Sequence, residues 1–147
     1  MSTNKLILTI GIPRCGKTTW IKEYVKEHPN TVVVSPDDVR LSLHGKRYEL
    51  LAEPMIWSIV KIMVRSLFLS GNTNIIIDAT HTSKKRRTFW NDLNENMYYK
   101  LFKPNKDVCI ERAVRTGQSD LVKIIEAMYK RFELPKEDEK MIDIDSI

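Results

Sequence analysis

The chain has 147 residues, 42% of them hydrophobic and 29% charged, which predicts one globular domain over residues 1–147 with its own core. The net charge of +5 is uneven: residues 1–132 carry 22 Lys/Arg against 13 Asp/Glu, and the acidic tail 133–147 carries two against six. A basic body suits an anionic partner, while two cysteines without metal-type spacing argue against a disulfide scaffold or a zinc module and for a reducing, cytosolic setting.

In chain order, Lys5–Ile10 (KLILTI) is expected as a short buried strand, its apolar run too short for a signal segment. A Gly-rich loop follows, then a helix from about Lys17 to His28 that stops before Pro29. Thr31–Val34 is a β-branched strand, and Pro36 to Leu43 a short helix leading into the loop His44-Gly45-Lys46-Arg47-Tyr48. From Leu50, apolar residues recur at helical spacing (Ile56, Ile59, Val60, Met63, Val64, Leu67). Glu53, Pro54, Lys61 and Arg65 make this segment a core helix, since a membrane span would exclude them. Gly71-Asn72 ends it, and Ile75–Ile77 is a strand tipped by Asp78. A helix is predicted over Ser83 to about Asn96, a strand over Met97–Phe102 and a helix over Asn105 to Arg115. After the break Thr116-Gly117-Gln118 come a last helix, Ser119 to Glu133, and an edge strand, Met141–Ile144. Strands alternating with helices predict an α/β fold of P-loop NTPase type, with a mostly parallel central sheet of four to five strands and helices on both faces.

Gly11-Ile12-Pro13-Arg14-Cys15-Gly16-Lys17-Thr18 matches the phosphate-loop pattern G-x-x-x-x-G-K-[ST] and lies between a strand and a helix. Its backbone amides, through Thr19, are expected to cradle the β- and γ-phosphates of ATP at a helix N-terminus. Lys17 would reach the same oxygens and Thr18 would hold Mg²⁺. No D-x-x-G is present, and Asn105-Lys106-Asp107 lacks the spacer of a guanine-reading N-K-x-D. A small kinase remains, with its second substrate across from the loop.

Ligands of open parallel sheets sit at the carboxyl ends of strands, where this chain places Asp37-Asp38 and Asp78. Ser35, Pro36 and Asp38 fit the N-cap, N1 and N3 positions of a helix, which occupies Asp38 structurally. Asp37 shares a helix face with Arg40, so it either presents a base to an alcohol or forms a surface ion pair. Asp78 either helps order Mg²⁺, holds the acceptor hydroxyl, or caps the Thr80–Thr82 turn. Lys84-Lys85-Arg86-Arg87 opposes a helix dipole, which fits either an acceptor phosphate backbone or a solvated loop. Arg112 and Arg115 precede a flexible break where a kinase lid, about residues 112–120, would carry arginines to the nucleotide.

Taken together, GIPRCGKTTW, PDDVR, IIIDAT, KRR before a Trp, RTG and AMYK resemble the kinase domain of the bacteriophage polynucleotide 5′-hydroxyl kinases over nearly the whole chain. The resemblance implies that Asp37 is the general base on the acceptor hydroxyl, Arg40 an acceptor-phosphate contact, Asp78 the strand-end acid and Arg115 the lid arginine. It further implies nucleic acid 5′-hydroxyl ends as acceptor, with Arg86 and Arg87 on the acceptor side and no membrane partner. These 147 residues lack the 3′-phosphatase domain of the phage bifunctional enzymes, so only the kinase half-reaction is expected. Ala79-Thr80-His81-Thr82 departs from the family pattern, and the His44–Tyr48 loop is similar to one in small kinase-like ATPases of bacteria and phages. A small-molecule kinase and a non-catalytic nucleotide-binding module are the alternatives.

Overall fold

A computed structural model describes residues 4–45, 50–93 and 96–147. Five strands, β1 (Lys5–Ile10), β2 (Thr31–Val34), β3 (Asn74–Ile77), β4 (Met97–Leu101) and β5 (Ile142–Asp143), form one sheet in the order β2-β3-β1-β4-β5. Every neighbouring pair is parallel, which confirms the expected α/β class and makes the sheet wholly parallel. The helices are α1 (Lys17–Glu27), α2 (Pro36–His44), α3 (Glu53–Leu69), α4 (Lys84–Thr88), α5 (Lys106–Arg115) and α6 (Leu121–Arg131). None of the described helices is long and apolar enough to cross a membrane.

Strand alternation sorts the core into two layers. Leu6, Leu8, Ile75 and Ile77 face α3 and pack on Ile56, Trp57, Val60, Val64 and Trp90. Ile7 and Ile76 face α1 and pack on Ile21, Trp20 and Tyr24. A third cluster joins Ile12 of the loop to Cys109 and Ala113 of α5 and Ile125 of α6. The central strands β1 and β3 are covered on both faces, as their unbroken apolar runs require.

Two expectations change. The helix predicted from Ser83 to Asn96 ends at Thr88, and tighter i+3 turns follow: Trp90 N–H donates to Arg87 O and Leu93 N–H to Trp90 O at 3.0 Å. Tight turns let the adjacent Phe89 and Trp90 both enter the α3 layer, which a continuing helix would splay apart. Residues 94 and 95 of that prediction, and Lys46 to Tyr48 of the His44 loop, lie outside the described residues.

The other change concerns the basic cluster Lys84–Arg87, expected to face an acceptor phosphate backbone or solvent, which the acidic tail partly neutralises. Arg87 is 1% exposed at its side chain; its Nε donates to Glu139 Oε1 at 2.7 Å and its Nη2 to Oε2 at 3.1 Å. Lys84 pairs with Asp138 at 2.6 Å and Lys100 with Asp145 at 2.6 Å. The anions that offset two of the four cations at the start of α4 therefore come from the chain itself. Arg87, expected on the acceptor side, is thus buried and held by Glu139.

Burial alone would push the Glu139 carboxyl up, but the bonds from Arg87 and the Lys136 amide hold it below the usual Glu range. A lowered folded value means that the clasp stabilises above the unfolded pKa and is lost as pH falls through the folded one. Glu139→Gln leaves an unneutralised buried guanidinium and is expected to cost ~3–5 kcal/mol. Urea unfolding at neutral pH checks this, and the acid-induced loss of stability should shrink in the variant.

Candidate active site

The phosphate loop is shaped by close approach. A Cβ on Gly11 would lie 2.4 Å from Cys15 Sγ and 3.0 Å from Phe102 Cβ, so no larger residue fits there. Arg14 and Gly16 take left-handed backbone, φ 67° and 103°, which turns successive amides toward one point. Lys17 Nζ donates to Gly11 O at 3.0 Å and Ile12 O at 2.9 Å. Thr18 and Thr19 are exposed in the first turn of α1, which carries no acidic side chain and so remains receptive to an anion. The buried Ile12 anchors the loop beneath, beside the half-buried Pro13. Arg112 Nη1 donates to Arg14 O at 3.1 Å and braces the loop from α5. Arg115, by contrast, stands in solvent, 3.8 Å from Glu111. The expected lid segment closes on itself through Gln118 N–H to Ala113 O at 2.7 Å.

Asp78 leaves β3 beside this loop. Its amide donates to Val34 O at 2.9 Å, and Gly11 N–H donates to Thr80 O at 2.9 Å. Thr9 grips the acid from both sides: its hydroxyl lies 3.2 Å from Ile77 O and 2.9 Å from Ala79 O, donating to one at a time, and accepts Ala79 N–H at 3.3 Å. Burial raises the Asp78 carboxyl above the usual Asp range; Lys17 draws it down, while Asp37 and Asp38 push it up. Lys17, Asp37 and Asp38 therefore lie within electrostatic reach of Asp78 at the end of the sheet.

On the acceptor side, Ser35 Oγ accepts Asp38 N–H at 3.3 Å, as the predicted cap requires. Asp37 is 51% exposed at its side chain, and Arg40 Nη1 donates to its Oδ1 at 2.7 Å. Arg40 is largely buried and also forks onto Glu53, Nε to Oε2 at 2.9 Å and Nη2 to Oε1 at 2.7 Å. Its guanidinium lies 5.7 Å from the Trp57 ring centre, and that of Arg86 lies 3.9 Å from it.

Sequence reasoning missed Glu53, Thr9 and His81. Glu53 reads as ordinary first-turn acid, and Thr9 as one more strand residue. His81 is wholly buried at φ 44°. Trp90 Nε1 donates to its Nε2 at 3.2 Å, so the proton resides on Nδ1, which donates to Thr9 O at 2.7 Å. Burial, opposed by that bond, pushes its pKa down to about 4, so the ring is neutral.

Among the described residues no three His, Cys, Asp or Glu gather as a metal cage. The hard oxygens of Thr18 and Asp78 instead fit Mg²⁺ that is held mainly by phosphate and water.

A family model described as an AAA domain matches residues 6–135. A chain of the Pnkp1/Rnl/Hen1 complex is 28% identical over 76% of this chain and 40% of its own length, with a TM-score of 0.67. Another structure, of the Pnkp1/Rnl/Hen1 RNA repair complex, aligns at a TM-score of 0.68 and 23% identity, covering 95% of this chain and 51% of that one. The present chain thus spans about half the length of these relatives or less. A gluconokinase from Sinorhizobium meliloti 1021 shares the fold at a TM-score of 0.63 and 13% identity, covering 97% of this chain and 83% of its own.

A raised carboxyl pKa means that folding disfavours the ionised acid, so Asp78 costs stability near neutrality and the cost fades as pH falls. Asp78→Asn is expected to melt a few degrees higher than the native chain while binding ATP at least tenfold more weakly in Mg²⁺. Parallel thermal melts and nucleotide titrations check both halves.

Proposed function

The chain belongs to this AAA-domain family, with a P-loop kinase-like fold, and we propose that it transfers the γ-phosphate of ATP to the 5′-hydroxyl of a polynucleotide. The observation that carries the reading is the Asp37–Arg40 pair at the start of α2, whose acid lies within electrostatic reach of the strand-end Asp78. An acid fixed by an arginine, facing a phosphate loop, is what an alcohol acceptor needs: a group to orient and deprotonate the hydroxyl next to the transferred phosphoryl group.

Phosphoryl transfer passes through a loose transition state, so positioning and charge matter most. The loop amides of residues 11–19 and Lys17 would hold the β- and γ-phosphates. Mg²⁺, held through Thr18 and Asp78 when bound, supplies charge to the same oxygens. Arg112 braces the loop, and Arg115 swings in from its exposed position at the end of α5. Asp37 takes the hydroxyl proton, and Arg40 with Arg86 faces the acceptor phosphate. The basic body and the likeness to chains of an RNA repair complex support a polynucleotide as that acceptor.

One observation favours a second reading, a small-molecule alcohol as acceptor. Arg40 already answers to two carboxylates, Asp37 and Glu53, which leaves it little net positive charge for a phosphate, and a gluconokinase shares the fold. Salt separates the two: several phosphate contacts make the acceptor KM climb steeply with ionic strength, whereas an uncharged polyol is indifferent.

The test is labelled ATP with 5′-hydroxyl DNA, 5′-hydroxyl RNA, nucleosides and gluconate, with Lys17→Ala as control. Label should appear on the oligonucleotides only; label on gluconate alone sinks the polynucleotide reading. Asp37→Asn is expected to lower transfer by ~100-fold or more with ATP affinity unchanged. Loss of ATP binding in that variant would contradict the role given to Asp37.

A further inference from the structure

We propose that the outer face of α3 is a self-association surface that seats a second copy of this chain, with the two α3 helices antiparallel. The inner face of α3 buries Ile56, Trp57, Val60 and Val64. A helix lying on a sheet should turn polar side chains outward. Yet Leu51, just ahead of it, is 91% exposed, Met55 50%, Ile62 65% and Leu69 83%.

At 100° per residue Met55, Ile62 and Leu69 fall within roughly 40° of one line, on the side away from the sheet. Met55, Ile62 and Leu69 recur every seven residues, with Ser58 and Arg65 interleaved. That is the spacing of a seam between packed helices. On one flank, Ile59 and Met63 carry the apolar surface into a groove of about 400 Å³ between α2, α3 and the edge strand β2, lined also by Val33 and Leu43.

The stripe fits itself. About a twofold axis at Ile62, antiparallel helices bring Ile62 onto Ile62, Met55 onto Leu69, and Ser58 onto Ser66, one residue's rise (about 1.5 Å) from Arg65. Long apolar side chains meet each other, and the smallest residue of the seam makes room for the longest. Ser58 brings no unmet donor, because its hydroxyl already donates to Pro54 O at 2.9 Å. A parallel pair would stack Arg65 on Arg65 and leave a gap at Ser58. Among the described residues Arg65 is the one charge on the seam and Asp38 the one charge lining the groove, which gives a strongly acidic or basic partner little to recognise.

Two 17-residue helices about 25 Å long, widened by Met63 and Leu43, bury on the order of 1,000 Å², near the lower end of specific interfaces. Interfaces near that end are commonly weak and reversible, so association is looked for at micromolar concentrations. This surface is independent of which alcohol the active site takes.

Sedimentation of the full chain from about 1 to 200 μM tests the proposal across that concentration range. A monomer–dimer equilibrium should appear, weakened at least tenfold by Ile62→Glu and unchanged by Val114→Glu, an exposed apolar residue of α5. Unchanged thermal melting of Ile62→Glu separates lost pairing from lost folding. The register is read by oxidation with diamide: Ile62→Cys should yield a disulfide-linked dimer beyond the background of the native chain, and Leu69→Cys should not. A chain that stays monomeric throughout, a dimer that survives Ile62→Glu, or Leu69→Cys linking as readily as Ile62→Cys overturns it.

Discussion

A guanidinium removed from water must be neutralised at full hydrogen-bonding capacity, and the arrangement around Arg87 follows from that constraint. Glu139 answers it from 52 residues away with a two-point fork. The remaining Nη1 donates to His81 O at 2.9 Å, and the His81 ring in turn reaches Thr9 O. Thr9 lies two residues before the phosphate loop and holds the backbone on both sides of Asp78. An ion pair between α4 and the C-terminal segment is thus joined, through two buried polar residues, to both halves of the nucleotide site. A neutral His81 is essential to this chain, because a second buried positive charge beside Arg87 would have no counter-ion.

The acceptor face obeys the opposite logic. Asp37 stays half in water while Arg40 is enclosed and doubly bonded. Placing the mobile acid outside and the fixed cation inside makes Arg40 a post against which Asp37 is aimed. Glu53 supplies the rigidity, since a single exposed ion pair contributes little and tolerates many geometries. Trp57 closes the base of the arrangement under both Arg40 and Arg86.

What was legible beforehand depended on range. The strand alternation of LILTI and III, the phosphate loop, and the Ser35–Asp38 cap are local, so spacing alone reveals them. Lys84 to Arg87 reads identically whether it is solvated, binds a polyanion, or is neutralised from within, and only the return of the C-terminal segment distinguishes these. Arg40–Glu53 and Thr9–Ala79 are hidden for the same reason: each joins residues 13 or more apart whose types carry no mutual signal. The shortened α4 was misjudged because helical propensity was strong where two adjacent aromatics needed burial on one side.

Asp78 shows how these parts bear on one another. Its burial favours the protonated form, and Lys17 is the cation that opposes this, while Asp37 and Asp38 add to the burden. Lys17 is also the side chain the loop offers to phosphate. Once phosphate claims that ammonium, Asp78 loses the cation that opposes its burial. A divalent cation held by Thr18 and Asp78 would restore that positive charge, and its binding would then depend on the nucleotide's. Arg40 cannot substitute, because Glu53 and Asp37 already hold it.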